Sequence, residues 1–214
     1  MNTPSNLVTN PSVVQRENGS MYNYDLLSKL LKDRVIMVVD EINDNTAQLI
    51  VAQLHYLHSE DPSAPITMYI NSPGGSVTAG MSIIDTMEFI GNPIITICMG
   101  MAASMGSLIF MSGTKGLRFI MPRAKTMIHQ PLGGAQGQAT EIEIAARNIL
   151  KTKSYINQMI ADATGQDVEV VAADTERDNY KDAEETVAYG IADKIIHTFT
   201  ESQEFVEEWV STHN

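Results

Sequence analysis

Short apolar runs alternate along this chain with longer segments in which apolar residues return every three or four positions, and that alternation restricts the fold more than any other feature. Residues 35–39 are rich in β-branched side chains and read as a strand. From Asn43 to Glu60, Ala47, Ile50, Val51, Leu54 and Leu57 follow at helical spacing. The polar Asp61-Pro-Ser-Ala-Pro65 turn leads into a strand over residues 66–70. Asn71-Ser-Pro-Gly-Gly75 makes a tight turn, and a helix runs on to about Ile90. A strand over 94–99, a helical stretch over 105–111 and strands over 117–121 and 126–128 continue the series. Strands that alternate with helices predict α/β layers on a largely parallel sheet. Ahead of this body, residues 25–31 read as a short helix, and residues 1–22 carry no periodicity and read as a flexible arm.

The second half is dominated by one long helical segment. Thr140-Glu-Ile-Glu143 has the form of a capping box, and Gly165 stands where a helix from Thr140 would end. Such a helix, running to about Ala163, would be roughly 34 Å long. Ile142, Ile149 and Ile156 recur along it every seven residues, with Ala145, Leu150, Met159 and Ile160 spreading the apolar surface around the circumference. A helix apolar on so many sides needs more than one partner, so it reads as an arm that packs on another subunit. Before it, residues 130–138 hold three glycines and three glutamines and do not read as core. After it, Asp182-Ala-Glu-Glu185 is a second capping box, opening a short helix that Gly190 ends. Ile195 and Ile196 belong to a last strand. Residues 201–210 form a marginal amphipathic helix bearing Phe205, Val206, Trp209 and Val210.

Candidate chemistry sits at two strand ends. In Gly100-Met-Ala-Ala-Ser104-Met-Gly106 a serine stands between small residues where an apolar strand gives way to a helix. A helix start offers unpaired N–H groups and the positive end of the helix dipole, the surroundings that stabilise a developing oxyanion. The same small neighbours suit tight packing equally well, and the segment is not the GxSxG elbow, because Ala102 stands two before the serine. Met127-Ile-His129-Gln-Pro131 places a histidine at the end of another strand. A serine is a weak nucleophile without an adjacent base, and His129 is positioned to supply one. His55 and His58 lie on the polar side or end of a helix, His213 lies in the tail, and His197 has no distinguishing neighbourhood. A third group must hold the imidazole tautomer, and in Asp174-Thr-Glu-Arg-Asp178 spacing alone does not choose between Asp174 and Asp178. Gly74-Gly75 after a strand is either a plain turn or a place where a backbone N–H approaches a reacting carbonyl. In the second case Gly75 and Met105 would donate the two oxyanion hydrogen bonds.

Composition removes several other classes. With 26 acidic against 14 basic residues and a net charge of −12, the chain lacks the basic face that nucleic acid needs. Cys98 is the only cysteine, which excludes an intramolecular disulfide and a cysteine-type metal site; within its apolar strand it reads as inert core. Gly133, Gly134 and Gly137 precede no Lys-Ser/Thr pair and so make no phosphate loop. No apolar run reaches the ~18 residues of a membrane span. The first twenty residues lack a signal core, so a reducing cytoplasm is the expected location.

Taken in order, Tyr69-Ile-Asn-Ser-Pro-Gly-Gly75, Ala79-Gly-Met-Ser82, Ile97-Cys-Met-Gly100, Ala102-Ala-Ser-Met-Gly106, Met127-Ile-His-Gln-Pro-Leu-Gly-Gly134, Gln136-Gly-Gln-Ala-Thr140 and Asp174-Thr-Glu-Arg-Asp178 resemble the ClpP family, the proteolytic subunits of ATP-dependent Clp proteases. The resemblance covers residues 25–196, and the N-terminal arm is less charged than is usual there. It implies an α/β, crotonase-like fold of repeated ββα units, with a peptidase domain over 23–198, a handle over about 130–163 made of the long helix and a strand at 133–139, and a tail over 199–214. By motif it implies Ser104 as nucleophile, His129 as general base, Asp178 as the orienting acid and Gly75 and Met105 as the oxyanion amides, with no metal. It further implies two stacked seven-membered rings, of one or two kinds of subunit, in which Arg177 pairs with an acid of the opposite ring. An AAA+ unfoldase resembling ClpX, ClpA or ClpC would feed in unfolded polypeptide, and ATP would be used by that partner rather than as a cofactor here. Two other readings compete. One is a structural ring subunit that activates a sister chain. The other is an acyl-CoA enzyme of crotonase type, which has no use for Ser104, His129 and Asp178 together.

Overall fold

The computed structural model describes residues 11–213. Its body is a sheet of seven strands flanked by helices, as the alternating pattern predicts. In chain order the elements are β1 (Ser12–Glu17), β2 (Ser20–Asp25), α1 (Leu26–Lys32), β3 (Val35–Val39), α2 (Asp44–Glu60), β4 (Ile66–Ser72), α3 (Val77–Ile90), β5 (Ile94–Ala103) and α4 (Met105–Met111). There follow β6 (Arg118–Ile120), β7 (Lys125–Ile128), α5 (Ala139–Thr164), α6 (Val168–Asp174), β8 (Asn179–Lys181), α7 (Ala183–Tyr189), β9 (Lys194–Ile195) and α8 (Phe199–His213). Strands β3, β4, β5, β6 and β9 lie side by side and parallel.

Local chemistry sets the element ends. The Asn43 carboxamide oxygen accepts from the N–H groups of Asn45 and Thr46 at 3.0 and 3.1 Å, which satisfies two of the orphan donors at the start of α2. Along α2, Ala47, Ile50, Leu54 and Leu57 are buried against the sheet. Removing a side chain such as Leu54 from water contributes about 1.5–3 kcal/mol. A parallel sheet covered on both faces reads as a continuous apolar run. Residues 94–98 of β5 are buried throughout, Ile94 and Cys98 toward the main core and Ile95 and Ile97 toward a second cluster on the opposite face. Phe205, Val206 and Trp209 of α8 cover that second cluster, and the Trp209 indole N–H donates to the Lys115 carbonyl at 3.1 Å.

Strand β5 does two jobs. Its first half pairs with β6 and its second half with β7, which in turn pairs antiparallel with β8. The change of direction falls at Gly100, whose φ of +68° suits a residue without Cβ. The Asn71 carboxamide accepts the Met101 N–H at 3.2 Å and fills the space a side chain on residue 100 would need.

Several elements differ from expectation. Residues 12–25 form a β-hairpin instead of an unstructured arm, because Asn18 and Gly19 both take positive φ and turn the chain tightly. The first ten residues of the expected arm lie outside the described residues. Helix α5 begins at Ala139, and the Glu141 carboxylate, not Glu143, accepts the first free amide, that of Gln138. It therefore has 26 residues and is about 39 Å long. The implied strand over 133–139 has no ladder partner among the described residues, and a strand without a neighbour forms no sheet. Helix α6 and strand β8, short and weakly patterned, carried no signal of their own.

Candidate active site

Ser104 occupies the junction between β5 and α4. Its backbone has φ 53° and ψ −122°, a combination costly for a residue with a Cβ. The turn is held because the Ser104 N–H donates to the Met127 carbonyl at 2.9 Å, while its own carbonyl accepts from Ser107 and Leu108 N–H. Although Ser104 stands at the N-cap of α4, its hydroxyl makes no capping bond. It lies 2.8 Å from Nε2 of His129 instead.

His129 follows β7, whose pairing with the second half of β5 brings the histidine beside the serine. Nδ1 of His129 is 2.9 Å from Oδ1 of Asp178. Hydroxyl, imidazole and carboxylate thus form one hydrogen-bonded chain. The imidazole is mostly buried at 13 % exposure, while the Asp178 side chain is 59 % exposed. Asp174, the other acid that spacing allowed, is engaged elsewhere: its Oδ2 accepts from the Tyr189 hydroxyl at 2.9 Å. Burial, with that carboxylate beside it, pushes the Tyr189 phenol well above its ordinary range. Cys98 is buried, and its thiol is pushed up to about 12 by that burial.

The Pro-Gly-Gly turn closes on the serine from the other side. A Cβ on Gly74 would lie 2.7 Å from the Ser104 Cβ and 3.0 Å from the Met105 nitrogen, so only glycine permits this approach. Gly75 pairs with Ile42 as a parallel bridge: the Ile42 N–H donates to the Gly74 carbonyl, and the Ser76 N–H donates to the Ile42 carbonyl. In such a bridge the N–H of the central residue points away from the neighbouring strand. Met105 is the first residue of α4, so its N–H has no intrahelical acceptor. Both predicted oxyanion donors are therefore free of the pairings around them. Beside Ser104 lies a small cavity of 20 Å³ with an apolar wall that includes Val77, Leu108, Ile156 and Ile160.

Some neighbours of the site gave no signal in the sequence. Gln130 donates its backbone N–H to the Thr175 carbonyl at 2.6 Å and its side-chain N–H to the Glu176 carbonyl at 2.9 Å. The Thr175 hydroxyl donates to Asn157 of α5 at 3.1 Å. Lys153, one turn before Asn157, makes an ion pair with Glu176 at 2.8 Å. Only adjacency to His129 would have pointed to Gln130. Arg177 is exposed and donates to the Glu176 carbonyl at 3.3 Å. Among the described residues no cluster of three His, Cys, Asp or Glu side chains is arranged to hold a metal, and no helix is long and apolar enough to cross a membrane.

A βα sheet that places a serine, a histidine and an acid in one hydrogen-bonded line has the layout of a serine hydrolase. The family model for Clp protease matches residues 17–199 of the 214-residue chain. The chain belongs to the Clp protease family, and its domain is a ClpP-type peptidase.

Proposed function

We propose that this chain is the proteolytic subunit of an ATP-dependent Clp protease, a serine endopeptidase that cuts unfolded polypeptide to short peptides inside a chamber of two stacked seven-membered rings. The unbroken contact from Ser104 through His129 to Asp178, at 2.8 and 2.9 Å, carries the reading. In it, Ser104 Oγ attacks the scissile carbonyl carbon while His129 Nε2 takes the hydroxyl proton. Asp178 holds Nδ1–H and with it the productive tautomer. The carbonyl oxygen becomes negative and is met by the N–H groups of Gly75 and Met105, each contributing about 10²–10³ in rate. His129 then gives its proton to the departing amine, and water repeats the sequence on the acyl-enzyme.

The chemistry moves only protons and acyl groups, so the subunit needs no cofactor, and ATP is spent by a partner AAA+ unfoldase of the ClpX, ClpA or ClpC kind. Helix α5 supports assembly: Ile144 and Leu150, 60 % and 66 % exposed, project from it with no partner within the described chain. Arg177, exposed near the site, would pair across the two rings.

A fluorophosphonate probe should label Ser104 in the assembled protein. Ser104→Ala should remove labelling and lower peptide hydrolysis by about six orders of magnitude, with the particle mass unchanged by light scattering. An assembled wild-type protein that stays unlabelled would overturn the peptidase reading.

A further inference from the structure

The acid of the triad is its least protected member. Asp178 sits at the end of an irregular turn, and more than half of its side chain is open to solvent. Burial therefore does not hold it against His129; the pairing of Asn179 with Ile128 anchors it on one side, and the turn over residues 175–178 must do so on the other. That turn is tied down at three points. Gln130 grips the carbonyls of Thr175 and Glu176. The Thr175 hydroxyl reaches Asn157. The third tie is charged: Lys153 Nζ lies 2.8 Å from Glu176 Oε2.

Lys153 and Asn157 are four residues apart on α5, so both face the same turn. They mark the boundary between two parts of that helix. Beyond them Ile160 and Ala161 are buried in the core, whereas before them Ile142, Ile144 and Leu150 stand exposed on the projecting half. Lys153 is itself only 25 % exposed on its side chain, lying along the turn rather than out in solvent. Its ammonium holds the Glu176 carboxyl below the usual carboxylate range, by hydrogen bond first and by charge second.

We infer that Lys153 is a positioning residue for the triad, an ionic latch from the handle helix to the turn that carries Asp178. It touches no reacting atom. By fixing Glu176 two residues before Asp178, it restricts the directions in which the carboxylate can leave His129 Nδ1, and it makes that alignment depend on how α5 is seated. The inference rests on the serine-peptidase reading of the site.

The test uses the full-length, assembled protein and a small fluorogenic peptide. Lys153→Met is expected to lower kcat by about two- to five-fold, the range of a partly exposed ion pair, and to leave KM unchanged. Lys153→Arg restores kcat. Glu176→Gln shows the same loss, and the double variant loses no more than either single one. Raising salt from about 0.15 to 1 M shortens the screening length from about 8 to 3 Å. It should bring wild-type kcat down toward the Lys153→Met value and leave the variant flat. Particle mass and thermal midpoint, measured on each variant, separate this from loss of folding. Wild-type kcat in Lys153→Met, no recovery with arginine, or additive losses in the double variant would each overturn the latch. If the wild-type serine fails to react with a fluorophosphonate, the underlying peptidase reading falls instead.

Discussion

The line of Ser104, His129 and Asp178 and the projecting half of α5 are opposite in construction. Ser104, His129 and Asp178 meet entirely within one chain, each positioned by backbone bonds from β5, β7 and the turn after α6. The first half of α5 is the reverse. Ile142, Ile144 and Leu150, with Leu132 on the preceding segment, are large apolar side chains left between 44 % and 85 % exposed. Exposed apolar residues gathered along one arm mark an interaction surface. The hydrogen-bonded line from Ser104 to Asp178 thus closes within a single copy, while the apolar surface of the arm finds no cover there.

Asp178→Asn should do most to the first region and nothing to the second. Such an exchange leaves the geometry but favours the wrong tautomer, and kcat should fall about 10⁴-fold with particle mass unchanged. A smaller loss would mean that the Asp178 contact is incidental. Ile144→Asp combined with Leu150→Asp should do the converse and reduce the mass seen by light scattering, since two buried charges without partners oppose association. Unaltered mass would remove the handle from the assembly interface. Ile156→Asp is unsuitable for this purpose: Ile156, although in heptad register with Ile142 and Ile149, lies in the core and lines the cavity beside Ser104. The smallest effect concerns the body itself. Because burial pushes the Cys98 thiol up to about 12, iodoacetamide at pH 8 should leave the folded protein unmodified, and labelling should appear only on unfolding. Fast labelling of native protein would show that β5 opens readily.

Much of the fold was legible because strand and helix periods differ and the turns carry their own chemistry. Helix α2 starts where Asn43 caps it, and α7 starts at the capping box of Asp182 and Glu185 and ends at Gly190. What escaped were elements whose stability is not local. The hairpin of β1 and β2 has little apolar alternation, and the Asn18-Gly19 turn was its only signal. Helix α6 and strand β8 are short, and their neighbours α5 and β7 define them. Helix α5 kept its length but shifted its start, since Glu141 reached the free amide of Gln138 first.

The sequence by itself determined that layers of helix and strand would form, and that Ser104 would stand among small neighbours at a helix start and His129 at a strand end. These follow from side-chain period, backbone freedom and capping, all properties of neighbours along the chain. Family resemblance named Asp178, but the residues alone left Asp174 beside it as an equal. Tertiary structure separated the two. Asp174 meets the Tyr189 hydroxyl, which α7 supplies, and Asp178 meets His129, which the pairing of β7 with β5 supplies. Two carboxylates four positions apart have the same local chemistry, and only the elements packed on either side of their turn give each its partner.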